Sequence, residues 1–287
     1  MSKIILTSLH ELPTGLIDVI SNQYQCISTS NLSAKTMVMN LELNLNKESK
    51  NTLQELAERF ETDIIFLKDD FEASQIKIFA FDMDSTLINI ECIDEIAREC
   101  GKVDEVSKIT EATMRGEIKN FSESLIARVK ILQGTSATSL ENVYQKRLRL
   151  NPGAHSLIEY AKEKGIKTLL VSGGFTFFSD KVKNLLNLDE AHSNTLEIVD
   201  SVLTGKVIGQ IVDGDYKARL VNDFCLKHGV PTSAAMVFGD GSNDLQMMQT
   251  AGLSIGYKPK PIVKEKADGT LNFVGLDGVL DLLKYYS

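Results

Sequence analysis

At 287 residues, with 43% apolar and 24% charged side chains, the chain has the composition of an ordinary globular protein long enough for two domains. Its net charge of −8 argues against a nucleic-acid or anionic-membrane surface, which needs basic residues to neutralise phosphates. No apolar stretch approaches the roughly 18 residues that cross a bilayer, and Ile4-Ile5-Leu6 is too short for a signal peptide, so a cytoplasmic location is expected.

The first seventy or so residues alternate strand and helix patterns: Lys3–Ser8 strand, Thr14–Ser21 helix, Tyr24–Thr29 strand, Lys35–Leu45 strand. Leu53, Leu56, Ala57 and Phe60 then mark one face of a second helix, and Asp63–Leu67 a last strand. This β-α-β-β-α-β order predicts a split βαβ unit over 1–73, an antiparallel sheet with helices on one face. Its boundary falls in the polar Lys68–Gln75 stretch.

From Ile76 the pattern changes. Ile76–Phe81 is a short apolar run that fits a strand buried on both faces of a parallel sheet. Similar runs at Thr168–Val171, Met236–Phe238, Leu253–Ile255 and Asn272–Val274, mostly separated by helical patterns, predict a doubly wound α/β core over 74–92 and 151–287. No strand pattern appears between Ile93 and Leu150. Phe121, Leu125, Val129 and Leu132 form a helical stripe there, so 93–150 reads as a helical cap inserted after the first core strand and closed by Asn151-Pro152-Gly153.

Three segments at strand ends carry chemistry. Asp82-Met83-Asp84-Ser85-Thr86 places two carboxylates at the carboxyl edge of the sheet, where one can attack phosphorus and the other move a proton. Ser172-Gly173-Gly174 offers a hydroxyl and glycine amides to phosphate oxygens, although alone it is an ordinary turn sequence. Gly239-Asp240-Gly241-Ser242-Asn243-Asp244 brings two more carboxylates, which with Asp82 suit a hard divalent ion. A calcium loop is excluded, since Leu245 and Ala251 occupy the positions that need glycine and a bidentate acid. Cys26, Cys92, Cys100 and Cys225 lack metal or redox spacing and read as reduced, buried small residues; His10, His155, His192 and His228 are scattered and read as structural.

Together with Lys217, these segments resemble the motifs of the haloacid dehalogenase superfamily. Phe81–Glu91 and the helical insertion are similar to its phosphoserine phosphatases over about Ile76–Leu282. The resemblance implies a Mg²⁺-dependent phosphoric monoester hydrolase acting on O-phospho-L-serine in serine biosynthesis, through an aspartyl-phosphate. It implies Asp82 as nucleophile, Asp84 as general acid and base, and Ser172 and Lys217 as phosphate ligands. Asp240 is then a metal ligand beside Asp82 and the Asp84 carbonyl, with Asn243 and Asp244 supporting phosphate and metal. Glu91 and Arg128 match positions that hold the substrate ammonium and carboxylate, and Met114, Phe121 and Gly173 resemble further pocket positions. Residue by residue the bland readings stay open: Lys217 as a solvated lysine, Glu91 as a helix-start acid, Arg128 as a surface residue. The N-terminal element order resembles ACT-like domains, read as a stabilising or dimerising unit, and a homodimer is left open. The competing readings are phosphoryl transfer to homoserine, another small phosphomonoester as substrate, or a phospho-accepting signalling module.

Overall fold

The computed structural model describes residues 2–68, 71–115, 117, 118 and 120–286. Asp69 and Asp70, within the expected boundary stretch, lie outside the described residues. The first unit comprises β1 (Ser2–Ser8), α1 (Thr14–Tyr24), β2 (Cys26–Asn31), β3 (Thr36–Leu41), α2 (Lys47–Arg59) and β4 (Thr62–Leu67). Its strands pair antiparallel in the order β2-β3-β1-β4. Because strand side chains alternate between faces, Ile4, Leu6, Met39, Ile64 and Phe66 pack under Leu16, Ile20, Leu53 and Ala57 of the two helices. Ile5, Val38, Ile65 and Leu67 point the other way and join the main core.

That core is built on β5 (Ile78–Phe81), which opens into four cap helices, α3 (Cys92–Glu99), α4 (Val103–Met114), α5 (Phe121–Ile131) and α6 (Thr138–Lys146). The chain then returns through α7 (Ala154–Glu163), β6 (Lys167–Phe175), α8 (Thr176–Leu186), β7 (Glu190–Val199) and β8 (Val202–Ile208). It finishes with α9 (Gly214–Lys227), β9 (Ala235–Gly239), α10 (Leu245–Thr250), β10 (Leu253–Tyr257), α11 (Pro261–Lys266), β11 (Gly269–Leu271) and α12 (Leu280–Tyr285). The core strands run parallel in the order β11-β10-β9-β5-β6-β7, with β8 antiparallel at the far edge. Both faces of the β5, β6 and β9 runs are buried, which is why they read as continuous apolar stretches.

One strand expectation needs correction, and one pair of strands was missed. Asn272–Val274 is not a strand: the ladder ends at Leu271, and the three following amides donate instead to the Asp63 carboxylate at 2.6, 3.0 and 3.0 Å. The hairpin of β7 and β8 was not anticipated, because its side chains are mostly half-exposed and give no apolar run. Its turn, Asp200-Ser201, takes the left-handed backbone at both residues (φ 49° and 61°), as a tight two-residue hairpin requires. The hairpin braces the cap through Gly134 N–H to Leu203 C=O at 2.9 Å and Leu203 N–H to Thr135 C=O at 2.8 Å.

The cap leaves and rejoins the core through a short stem. Asn89 N–H donates to Arg149 C=O at 3.0 Å, and Asn151 N–H to Leu87 C=O at 2.9 Å. The buried Asn151 amide donates to both Thr86 C=O and Ile88 C=O at 2.9 Å. Among the described residues no helix is long and apolar enough to cross a membrane.

Candidate active site

β5 lies between β9 and β6, with Phe81 level with Phe238 and Leu170. Asp82, Asp240 and Ser172 therefore emerge from the carboxyl ends of three neighbouring strands, the edge at which open α/β sheets bind ligands. α9 adds Lys217 one turn in from its Asp213 cap. A cavity of about 180 Å³ opens at this edge, lined on the core side by Asp82, Asp84, Ser172, Gly173, Asp240 and Asn243. Glu91 at the stem and Phe121 and Arg128 on α5 close its cap side.

Lys217 is fully buried and donates to Asp82 Oδ1 at 2.6 Å and Asp244 Oδ1 at 2.7 Å. Burial opposes its charge, but Asp244 and Asp82 outweigh that and hold the ammonium above its ordinary range. Burial likewise pushes the Asp82 carboxyl up while Lys217 pulls it down. The second Asp244 oxygen accepts the Asp240 and Gly241 amides at 3.1 and 3.0 Å, so both of its oxygens are committed within the protein. Asp82 and Asp240 each keep one oxygen without a hydrogen-bond partner among the described residues. Ligand oxygens of Asp82, Asp240 and Asp244 come within 4.8 Å of one another, a donor set suited to a hard divalent cation.

Asp84 turns away from this cluster. Its carboxylate accepts the Cys92 amide at 3.0 Å and the Cys92 thiol at 3.1 Å. Burial, then the charge on Glu91, pushes it up to about 7, with Cys92 acting against the rise. The turn that allows this has Ser85 at φ 57°, and the Ser85 hydroxyl donates to Glu91 Oε1 at 2.8 Å. The Ser172 hydroxyl accepts the Gly174 amide at 2.8 Å, which leaves its proton available to an anion. A Cβ on Gly173 would lie 2.6 Å from the Phe121 ring, so only glycine admits that contact between core and cap.

The sequence-predicted residues Asp82, Asp84, Glu91, Phe121, Arg128, Ser172, Gly173, Asp240 and Asn243 thus share one cavity, with Lys217 and Asp244 directly beneath it. The side chain of Met114 lies outside the described residues. Sequence reasoning missed two others. Cys92, read only as a buried thiol, holds Asp84. Lys260 lines the cavity with its ammonium 3.1 Å from Asp240 Oδ2. Its position in a Lys-Pro-Lys-Pro run directly after β10 was the available signal, since that loop leaves the same edge of the sheet.

The haloacid dehalogenase-like hydrolase family model matches residues 79–249. A phosphoserine phosphatase of Polaromonas sp. is 50% identical over 219 residues, 75% of this chain and 93% of the relative. Among solved structures, a HAD family hydrolase from Salmonella enterica serovar Typhi aligns with a TM-score of 0.87 at 32% identity, covering 99% of both chains. A substrate-bound phosphoserine phosphatase complex aligns at 0.66 and 37% identity over 73% of this chain and 98% of that one.

Proposed function

The chain belongs to the haloacid dehalogenase-like hydrolase family, and on that footing we propose that it hydrolyses O-phospho-L-serine to L-serine and phosphate with Mg²⁺. The observation that carries the reading is charge placement: Glu91 and Arg128 line the cap side of the cavity that holds Asp82. A zwitterionic amino acid needs one anion and one cation set apart, and Arg presents a planar fork to a carboxylate.

In this reading Asp82 attacks phosphorus and takes the phosphoryl group as an acyl phosphate, while the serine oxygen leaves with a proton from Asp84. Water then attacks the acyl phosphate, Asp84 accepts its proton, and phosphate departs with Asp82 regenerated. A pKa near 7 suits Asp84 to both transfers, which together with placement contribute about 10²–10⁴-fold. Lys217 offsets charge on Asp82 and the transferring group, and the Ser172 hydroxyl, the adjacent glycine amides and Asn243 hold its oxygens. The open carboxylate oxygens of Asp82 and Asp240, with the Asp84 main-chain carbonyl, would hold Mg²⁺, and Asp244 orients this set from behind. The ion supplies charge neutralisation for the attacking and transferring oxygens. The reaction belongs in the cytoplasm, as the closing step of serine formation.

Phosphate release measured over a panel of small phosphomonoesters, with Mg²⁺ and with chelator, tests the assignment. Phosphoserine should be the best substrate and EDTA should stop the reaction. A sugar phosphate turned over faster, or full activity under chelation, would overturn it.

A further inference from the structure

Lys260 grips Asp240 twice. Its backbone amide donates to the Asp240 carbonyl at 2.8 Å, and its ammonium lies 3.1 Å from Asp240 Oδ2. The main chain and the Oδ2 atom of Asp240 are thus both in contact with Lys260, and Oδ1 is the oxygen left for a cation. The same ammonium is 4.0 Å from Glu91 Oε1, across the boundary between core and cap. Glu91 thus offsets part of the positive charge that Lys260 brings towards a metal position.

Lys260 is also the residue that caps α11, with Pro261 at the first helical position, so its backbone moves with that helix. α11 is where the N-terminal unit takes hold of the core. Gln54 Nε2 donates to the Lys264 carbonyl at 3.2 Å, Lys264 pairs with Glu58 at 2.7 Å, and Lys47 pairs with Glu265. Directly after α11, β11 meets β4 at Gly269 and Ile65, where a Cβ on Gly269 would come within 2.6 Å of the Ile65 side chain. A continuous set of contacts therefore runs from α2 through α11 to the Asp240 carboxylate.

We propose that Lys260 is a positioning residue that fixes the Asp240 carboxylate for the divalent cation, and that the N-terminal unit sets its placement through α11. The inference rests on the reading of Asp240 as a metal ligand. Partners that hold the second oxygen of a ligating carboxylate typically account for about 10- to 100-fold in metal affinity. An ammonium beside a cation also repels it, so the two effects have opposite signs and the measurement separates them.

The test is direct binding of Mn²⁺ to the chelator-stripped full chain, read from the electron paramagnetic resonance of free Mn²⁺, with no substrate present. Lys260→Met should weaken binding by about 10- to 100-fold, and Lys260→Arg, which keeps charge and donors, should restore most of it. The pair Gln54→Ala with Glu58→Ala, outside the cavity, should weaken binding several-fold in the same direction. Unchanged or tighter binding in Lys260→Met overturns the positioning role, because an ammonium that merely competes with the metal gives that result. Unchanged binding in the α2 variant overturns the part assigned to the N-terminal unit. Asp240→Asn separates the two levels: unchanged affinity there overturns the metal reading and this inference with it, whereas loss there without loss in Lys260→Met overturns the inference alone. Should Lys260→Met fail to fold, Lys260→Gln and the α2 variant give the same decision.

Discussion

A carboxylic acid that must give a proton and then take one works best with a pKa near the working pH, and Asp84 is placed for this by burial, by Glu91 and by Cys92. Asp84→Asn should therefore lose about 10²–10⁴-fold on phosphoserine, whose alkoxide leaving group needs the proton, and much less on an activated aryl phosphate. Equal losses on both substrates would remove the acid role. Arg128 is testable in the same crossed manner. Its side chain is half-buried and burial lowers its pKa, while Asp94, Glu91 and Asp84 oppose that shift. A desolvated charged contact left without its partner costs about 2–5 kcal/mol, so Arg128→Ala should lower kcat/KM for phosphoserine by roughly 30-fold or more. Phosphoethanolamine lacks the carboxylate and should be affected far less; a common factor for both would mark the arginine as structural. Residues of this kind were legible because Asp82 and Asp240 directly follow apolar strands and Ser172 follows the apolar run Thr168–Val171 within β6. Cys92 and Lys260 were not, because what matters about them is a partner distant in the sequence or a hydrogen bond that the residue type does not announce.

The cap stem shows how much one side chain can hold between elements. Asn151 was read as the first residue of a breaker, Asn-Pro-Gly; its amide also ties Thr86 and Ile88, on the outgoing limb, to the returning one. Replacing it with alanine leaves two buried carbonyls without those donors, so Asn151→Ala should lose about 1–3 kcal/mol in urea unfolding. A change below about 0.5 kcal/mol, the range of an uninvolved surface site, would mean that the tie contributes nothing. At this scale the helical cap was readable from the stripe Phe121, Leu125, Val129 and Leu132, of which the last three are buried. The β7–β8 hairpin was not, since a strand pair with mostly half-exposed side chains lacks both a buried run and a clean alternation.

In the whole molecule the N-terminal unit and the core meet along a seam centred on Asp63, whose buried carboxylate accepts the amides of Asn272, Phe273 and Val274. Burial pushes this carboxyl up to about 6, against the pull of those amides. Its folded value thus lies above the ordinary 3.8, so the stability it contributes is fully present below that pH and is lost as pH rises through about 6. The loss amounts to about 3 kcal/mol. Asp63→Asn cannot titrate, so the advantage of the native chain over it should shrink between pH 4 and pH 7 in urea unfolding; a constant difference would refute the shift. The β-α-β-β-α-β order of the unit was legible from periodicity, but the seam was not, because it depends on an acid on β4 and a glycine on β11 that carry no pattern of their own. The same seam changes which strands end the sheet. An edge strand offers unpaired amides and carbonyls to other chains, and proteins blunt such edges with polar residues, bulges or charges. β11, buried and apolar at Leu271, has β4 on its outer side, so the exposed edges become β2 and β8. β2 is rich in serine and threonine and shifts register between Cys26 and Ser28, and β8 carries Gly205 and Lys206. By lying beside β11, β4 therefore also closes an edge of the parallel sheet that would otherwise be open to edge-to-edge pairing with another chain.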